Sequence, residues 1–132
     1  LIVMGRSLGS ASALELAESY AAQIDGLIIE SGFAHSQTLL NLVGIDMKRA
    51  GIEEREAFRH LEKIGRFVKP TLVIHAEFDQ ILPFSDGEDL YRASGSQDKR
   101  LLKIPGADHN SIFMVGLQDY LKAVGEFASR LR

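Results

Sequence analysis

The sequence has 132 residues, of which 45% are hydrophobic and 25% are charged, as in an ordinary globular domain. The formal net charge of −3 gives no electrostatic reason to expect a nucleic acid or an anionic membrane surface as a partner. Because the chain has no cysteine, disulfide bonds and thiolate metal sites are excluded. No apolar stretch approaches the ~20 residues that cross a bilayer. We expect a single domain over residues 1–132, located in the cytoplasm.

Four short apolar segments are predicted to form strands: Leu1–Met4, Gly26–Glu30, Thr71–Ala76 and Arg100–Ile104. Their residues are mostly apolar instead of alternating, which is typical of strands that are buried on both faces of a parallel sheet. Helical periodicity follows each strand. The pattern therefore predicts an α/β fold, with a parallel sheet of about four strands and flanking helices.

The helical segments differ in character. The first helix is predicted over Ala11–Gln23, and the last carries one apolar stripe over Phe113–Leu131. Residues 34–69, between the second and third strands, form no simple crossover helix. They contain an apolar patch, Leu39–Met47, and a helix that carries Ala57, Phe58, Leu61 and Ile64. An insertion of this length in a βαβ chain usually has a use, so we expect 34–69 to be a helical cap or lid.

The segment Gly5-Arg6-Ser7-Leu8-Gly9 lies between the first strand and the first helix. A G-x-S-x-G sequence in a strand–turn–helix context is typical of a nucleophile elbow, in which glycines let the strand and helix pass close together. The alternative is a Gly-rich turn that cradles phosphate. That alternative is weaker because no lysine follows the turn, as a phosphate loop requires. We therefore predict that Ser7 is a nucleophile.

A nucleophilic serine needs a base, and the base needs an orienting acid. Asp79 lies just beyond the third strand and His109 just beyond the fourth. Because the carboxyl ends of parallel strands meet along one edge of a sheet, we expect Ser7, Asp79 and His109 to converge there. Glu30, at the end of the second strand, is the main alternative to Asp79 as the acid. Arg6 is expected to form a salt bridge beneath the elbow, and the alternative is that it shapes the pocket.

Four segments carry a resemblance to a known family. They are GRSLGSASALELA at 5–17, GLIIESGF at 26–33, PTLVIHAEFDQILP at 70–83 and IPGADHNSIF at 104–113. Together they resemble the C-terminal half of an α/β-hydrolase, of the branch near prolyl-oligopeptidase-like and dienelactone-hydrolase-like serine hydrolases. The resemblance spans nearly the whole chain and implies strands five to eight of an eight-stranded sheet, with 34–69 as the variable cap. It also implies that Ser7 is the nucleophile, His109 the general base and Asp79 the orienting carboxylate.

The resemblance further implies how an oxyanion is bound. In such enzymes one donor is the N–H of the residue after the nucleophile, here Leu8, and the second comes from a loop that would precede this sequence. The chain starts without methionine inside a predicted strand, so we expect either an upstream half or a second copy to cover the open edge of strand 1–4. Loss of one oxyanion donor typically costs ~10²–10³-fold in turnover, so the chain alone is expected to be a poor catalyst.

The remaining candidate residues are assigned from their positions relative to these motifs. Phe33, His35 and Leu82 lie near the expected pocket and are candidates for substrate contact, with a surface role as the alternative for His35. His75 is expected to make a structural hydrogen bond in the acid loop, and His60 to face solvent. Because no pair of histidines has metal-ligand spacing with a carboxylate, we expect no catalytic metal, and the chemistry needs no cofactor.

These features predict a serine hydrolase that acts on ester or related acyl bonds of a small-molecule substrate through an acyl-enzyme. The sequence does not separate an esterase from a peptidase or a thioesterase. A reading from a different class is a non-catalytic, truncated hydrolase-like domain that oligomerises or binds a partner through its open edge.

Overall fold

The computed structural model describes residues 1–131, which contain one parallel sheet. Its strands are β1 (Ile2–Arg6), β2 (Gly26–Glu30), β3 (Thr71–Ala76) and β4 (Lys99–Ile104), in the spatial order β1-β2-β3-β4. The predicted parallel sheet of four strands is confirmed. The first strand runs on to Arg6, so that the G-x-S-x-G segment starts inside it.

Seven helices flank the sheet in the described part of the chain: α1 (Gly9–Ser19), α2 (Ser36–Asn41), α3 (Met47–Ala50), α4 (His60–Arg66), α5 (Phe84–Ala93), α6 (Ile112–Val115) and α7 (Leu117–Arg130). Single 3-10 turns cover Ala21–Gln23 and Glu54–Glu56. The predicted last helix is divided at Gly116. A Cβ atom there would lie 2.4 Å from Ile104 Cγ2, so only glycine lets this turn approach the end of β4.

The sheet separates two apolar cores. On one face, α1 and α4 pack with β2 through Leu14, Ile29 and Ile64, all with no exposed surface. On the other face, α7 packs through Phe127 against residues that include Ile28, Ile74 and Ile104. Every residue of β2 and β3 is buried, as the apolar runs predict for strands covered on both faces.

The segment between β2 and β3 is helical, as predicted for residues 34–69, and one serine joins its parts. The Ser36 N–H donates to Glu54 Oε1 over 2.8 Å, and the Ser36 hydroxyl donates to the other oxygen of the same carboxylate. In turn, the Phe58 N–H donates to Ser36 Oγ over 3.0 Å. The start of α2 is therefore tied to the turn that leads into α4.

The expectation that His60 faces solvent is wrong. Only 1% of His60 is exposed, and its Nδ1 lies 2.6 Å from the Phe33 carbonyl oxygen. The imidazole also packs on the Phe33 ring, with centroids 4.2 Å apart, and contacts Phe58 edge-on. His60 thus belongs to the buried side of the 34–69 segment, where it packs on the residues that follow β2.

Within the described residues, β1 pairs with β2 alone, so its other edge is open. Leu1, just before this strand, is 70% exposed, and Met4 within it is 44% exposed. Such an edge presents unpaired backbone groups that another strand can bind. Among residues 1–131, no helix is both long enough and apolar enough to span a lipid bilayer.

Candidate active site

Ser7 occupies the turn between β1 and α1 with a strained backbone. Its φ of +54° lies in the left-handed region, which side chains other than glycine rarely adopt. The turn is held by the Ser7 N–H, which donates to the Glu30 carbonyl over 2.9 Å, and by Ser10 Oγ, which donates to the Ser7 carbonyl over 2.7 Å. This conformation is the one that a nucleophile elbow imposes on its serine.

Gly5 allows this turn to be tight. A Cβ atom on Gly5 would lie 2.4 Å from the Gly9 carbonyl oxygen and 2.6 Å from Ala13 Cβ. At Gly9, by contrast, a Cβ atom would meet nothing within 4 Å. The close approach of strand and helix therefore depends on the first glycine of the motif and not on the second.

Asp79 and His109 form a buried pair at the carboxyl ends of β3 and β4. His109 Nδ1 lies 2.7 Å from Asp79 Oδ2, and the two residues are 5% and 7% exposed. The second oxygen, Asp79 Oδ1, accepts the N–H groups of Ile81 and Leu82 over 2.9 and 2.8 Å. Asp79 thus closes its own loop with one oxygen and orients the imidazole of His109 with the other.

Arg6 links the turn that carries Ser7 to the loop after β4 that carries His109 (the His109 loop). Its Nη2 donates to the His109 carbonyl oxygen over 2.5 Å, and its Nε lies 3.0 Å from Glu30 Oε2. In the described residues, Ser7 Oγ makes no hydrogen bond to His109. Catalytic hydrogen bonds are often long in enzymes without substrate and shorten when it binds. Ser7, Asp79 and His109 follow the carboxyl ends of β1, β3 and β4. In a parallel sheet these ends share one edge, so the three predicted triad residues lie on the same side of the sheet.

The structure pairs Glu30 with Arg6 instead of with His109. Glu30 is 1% exposed, and burial raises the pKa of its carboxyl group, against the effects of a hydrogen bond from Ser31 and of the Arg6 charge. Burial, with the nearby Glu30 charge second, raises the pKa of Tyr120 to about 12.

The salt bridge predicted for Arg6 is present. The contact from Arg6 to the His109 backbone was not anticipated, since no local sequence pattern indicates it.

The residues predicted to bind substrate differ in accessibility. Phe33 has no exposed surface and Leu82 is 1% exposed, which corrects the expectation for these two, because neither side chain can reach a ligand in this conformation. The His35 side chain is 46% exposed, and its Nε2 lies 2.8 Å from Asp89 Oδ2.

Leu8, the predicted oxyanion donor, precedes the first residue of α1, at the helix end where backbone N–H groups have no intrahelical acceptor.

Two other features bear on what the site can hold. Across residues 1–131, no group of three or more histidine, cysteine or acidic side chains is arranged to bind a metal ion. A cavity of about 720 Å³ lies between β4 and α7, lined by residues that include Lys99, Arg100 and Phe127. It is at the end of β4 opposite His109, so it is separate from the triad.

Comparisons with known proteins agree with this fold. The human alpha/beta hydrolase domain-containing protein 17B is 26% identical over 130 residues, a match that covers 98% of this chain and 42% of that protein. An esterase from Pyrococcus furiosus superposes with a TM-score of 0.78 at 16% identity, over 98% of this chain and 53% of the esterase. A monoacylglycerol lipase from Paleococcus ferrophilus superposes with a TM-score of 0.73 at 19% identity, over 96% of this chain and 66% of the lipase.

No family model matches the sequence. The chain spans about two fifths of the length of the curated relatives that it matches. It shares the α/β-hydrolase fold with the solved structures and is related in sequence to an α/β-hydrolase domain protein.

Proposed function

We propose that this chain carries the catalytic triad of a serine hydrolase that acts on carboxylic esters or related acyl bonds of a small molecule. Ser7 is the nucleophile, His109 the general base, and Asp79 the carboxylate that orients His109. The peptidase and thioesterase readings use the same triad and differ in the leaving group. Within the α/β-hydrolases, we favour the branch near prolyl-oligopeptidase-like and dienelactone-hydrolase-like enzymes on the motifs of the sequence, and a cytoplasmic location.

The proposed reaction has two halves. As Ser7 Oγ attacks the acyl carbon, its proton passes to His109 Nε2, and the Oγ–C bond forms while the carbonyl oxygen becomes an oxyanion. His109 then gives this proton to the leaving alkoxide, whose bond to carbon breaks, and an acyl-enzyme remains. In the second half, water attacks in place of the alcohol, His109 takes and returns a proton again, and Ser7 is released with a carboxylic acid product.

Electrostatics support these roles. The Asp79 carboxylate lies where it accepts a hydrogen bond from the Nδ1–H of His109, which leaves Nε2 as the ring nitrogen that takes the proton from Ser7. The imidazolium that forms during attack is stabilised by the same carboxylate. The Leu8 N–H, at the residue after the nucleophile, supplies one oxyanion donor.

One observation carries the proposal: Asp79 and His109 form a buried hydrogen bond, and the His109 backbone is bound by Arg6, the residue before a serine held at φ +54° on a strand–helix turn. A phosphate-binding turn would not need the carboxylate–imidazole pair. The names of the matched proteins, an esterase and a monoacylglycerol lipase among them, point to the same class of bond.

The test is labelling with a fluorophosphonate, which reacts with activated serines, read by the intact mass of the protein. We expect one label per chain, lost in Ser7→Ala and reduced at least 100-fold in rate in His109→Ala, in line with the loss of a triad residue. Ser111→Ala is a matched control, since Ser111 lies beside the same loop and its hydroxyl binds the Asp108 N–H. Absence of labelling in a folded sample would refute the proposal for this chain.

A second candidate is favoured by one observation, the open edge of β1 with exposed Leu1 and Met4. On this view the chain is a non-catalytic domain that associates with a second copy of itself through β1. Its mass in solution, measured by light scattering over a hundredfold range of concentration, should then rise towards that of a dimer. A substitution of Met4 by lysine on the open strand should keep the chain monomeric, whereas a monomer at all concentrations would exclude this candidate.

A further inference from the structure

Arg6 contacts two parts of the candidate site that are distant in sequence. It is the last residue of β1 and immediately precedes Ser7, while its side chain reaches both Glu30 and the His109 backbone. We propose that Arg6 is a positioning residue that fixes the base, His109, relative to the nucleophile, Ser7. The proposal rests on the function proposed above and adds to it a residue outside the triad.

Glu30 provides a rigid anchor for Arg6. The two residues are direct neighbours in the β1–β2 register, so their side chains leave the ends of adjacent strands together. Glu30 is almost fully buried, and its other oxygen accepts the Ser31 hydroxyl over 2.9 Å. A buried carboxylate needs paired charge and hydrogen bonds to offset its desolvation, and Arg6 supplies the charge. The guanidinium is therefore held in one place although its side chain is 46% exposed.

The other contacts of His109 show why this anchor matters. Its ring is bound by Asp79, and its N–H donates to Gln80 Oε1 over 3.3 Å. Both partners belong to the loop after β3, so these contacts orient His109 relative to the acid and not relative to the elbow. Among the hydrogen bonds of the described residues, the one from Arg6 to the His109 carbonyl is what ties the His109 loop to β1.

The guanidinium suits this double contact. Nε faces Glu30 and Nη2 faces the His109 carbonyl, so one planar group serves two acceptors in fixed directions. A lysine ammonium can pair with Glu30 but is a compact point charge on a flexible stem and does not reproduce the fork. Because a displacement of about 1 Å in a catalytic group can cost about 10²-fold in rate, the bridge can be measured in the kinetics.

The experiment compares Arg6→Met, Arg6→Lys and Arg66→Met in this chain. Arg66, at the end of α4, is a matched control. It is an exposed arginine whose Nη1 lies 2.9 Å from Glu18 Oε1 on α1. The first readout is the second-order rate constant of fluorophosphonate labelling as a function of pH. We expect Arg6→Met to lower this constant by about 10- to 100-fold over the whole pH range and Arg66→Met to leave it unchanged. Arg6→Lys, which keeps the charge beside Glu30 and so preserves the fold, should lose part of the rate.

The second readout is amide hydrogen exchange over residues 105–111, which needs no activity. We expect faster exchange in this loop in Arg6→Met, with β3 and α5 unchanged. If the wild-type chain is not labelled at all, the proposed function fails, whereas the exchange data still decide whether Arg6 holds the loop. If both Arg6 variants are labelled at the wild-type rate and exchange amide hydrogens at the wild-type rate, the positioning role is overturned. Faster exchange throughout Arg6→Met would show that Arg6 has only a structural role. Labelling of Arg6→Lys at the wild-type rate would likewise refute the bridge, because lysine cannot reproduce the two contacts.

Discussion

His75 Nε2 lies 2.7 Å from the Leu82 carbonyl oxygen, so a buried imidazole closes the back of the loop that carries Asp79. The Leu82 N–H in turn donates to Asp79 Oδ1. Burial lowers the pKa of His75, so the ring is neutral at pH 7 and its Nε2–H is the donor in this contact. His75 thus supports the position of the acid from behind while Asp79 faces His109.

Replacement of His75 should therefore weaken the fold at the acid loop. His75→Leu removes the donor and leaves the buried Leu82 carbonyl without a partner, a loss of about 1–3 kcal/mol in the free energy of unfolding. His75→Gln retains a side-chain N–H and should lose less. Urea denaturation of both variants measures this difference. Equal losses would show that the imidazole only fills space.

Buried neutral histidines also predict a pH dependence of stability. Burial lowers the pKa of both His60 and His75 below the ordinary value of 6.5. Below that pH the unfolded chain binds protons that the native state excludes, so the stabilisation present above pH 6.5 is lost as the pH falls. We expect urea denaturation between pH 7.5 and pH 5 to show a decline with a slope of up to about 1.4 kcal/mol per pH unit for each histidine.

A variant can assign part of that slope to His60. His60→Asn keeps a donor for the Phe33 carbonyl but has no group that titrates, so its stability should decline less steeply below pH 6.5. Phe58→Leu is the control, because it removes an aromatic neighbour of His60 without removing a titratable group. It should lower stability by a similar amount at every pH. An unchanged slope in His60→Asn would contradict the assignment.

The two glycines of the elbow should respond differently to alanine. Gly5→Ala places a methyl group against the backbone of α1, which must shift, and overpacking of this kind typically costs about 1–3 kcal/mol. Gly9→Ala meets open space at the start of α1, so stability should stay the same or rise by up to ~1 kcal/mol. Thermal unfolding and the labelling rate of each variant test this pair. A loss of similar size at both positions would be inconsistent with the packing described.

The strain at Ser7 predicts a gain of stability when function is removed. Ser7→Gly relieves the positive φ, whereas Ser7→Ala keeps a Cβ atom in the left-handed region. We expect the glycine variant to be more stable than the alanine variant by about 1 kcal/mol, and neither to be labelled by a fluorophosphonate. Chemical denaturation measures the difference. If the alanine variant were the more stable, Ser7 would not be strained in solution.

The choice of acid can be tested with isosteric amides. Asp79→Asn removes the negative acceptor of His109 Nδ1 and should lower the labelling rate by about 10³–10⁴-fold. Glu30→Gln weakens only the anchor of Arg6, so it should lower the labelling rate by no more than about 10²-fold. The ratio of the two rates decides between these carboxylates. A larger loss in Glu30→Gln would make Glu30 the acid partner.

The strands could be predicted because their signal is local. The runs at Gly26–Glu30 and Thr71–Ala76 are mostly apolar and have the observed bounds, since a parallel strand that is buried on both faces reads as a nearly continuous apolar run. The meeting of Asp79 with His109 also followed from topology, because both residues leave neighbouring strands at the same edge.

The remaining features depend on contacts between distant segments. His60 lies on a helix rich in charge, and nothing near it in sequence shows that Phe33 packs on its ring. The link from Arg6 to His109 depends on the register of β1 against β2 and on the path of the loop after β4. The division of the last helix at Gly116 arises from the proximity of Ile104, which periodicity within a helix does not record.

The contact between Arg6 and His109 joins residues that are 103 positions apart, whereas Asp79 and His109 are separated by 30. Closing so large a loop is slow, because its entropy must be lost before the contact forms. The acid–base pair can therefore assemble early in folding, from the β3–β4 unit alone. Ser7 and His109 are brought together only when β1 has joined the sheet, at the edge opposite β4. We therefore expect the labelling of Ser7 by a fluorophosphonate to recover late in refolding, after the secondary structure.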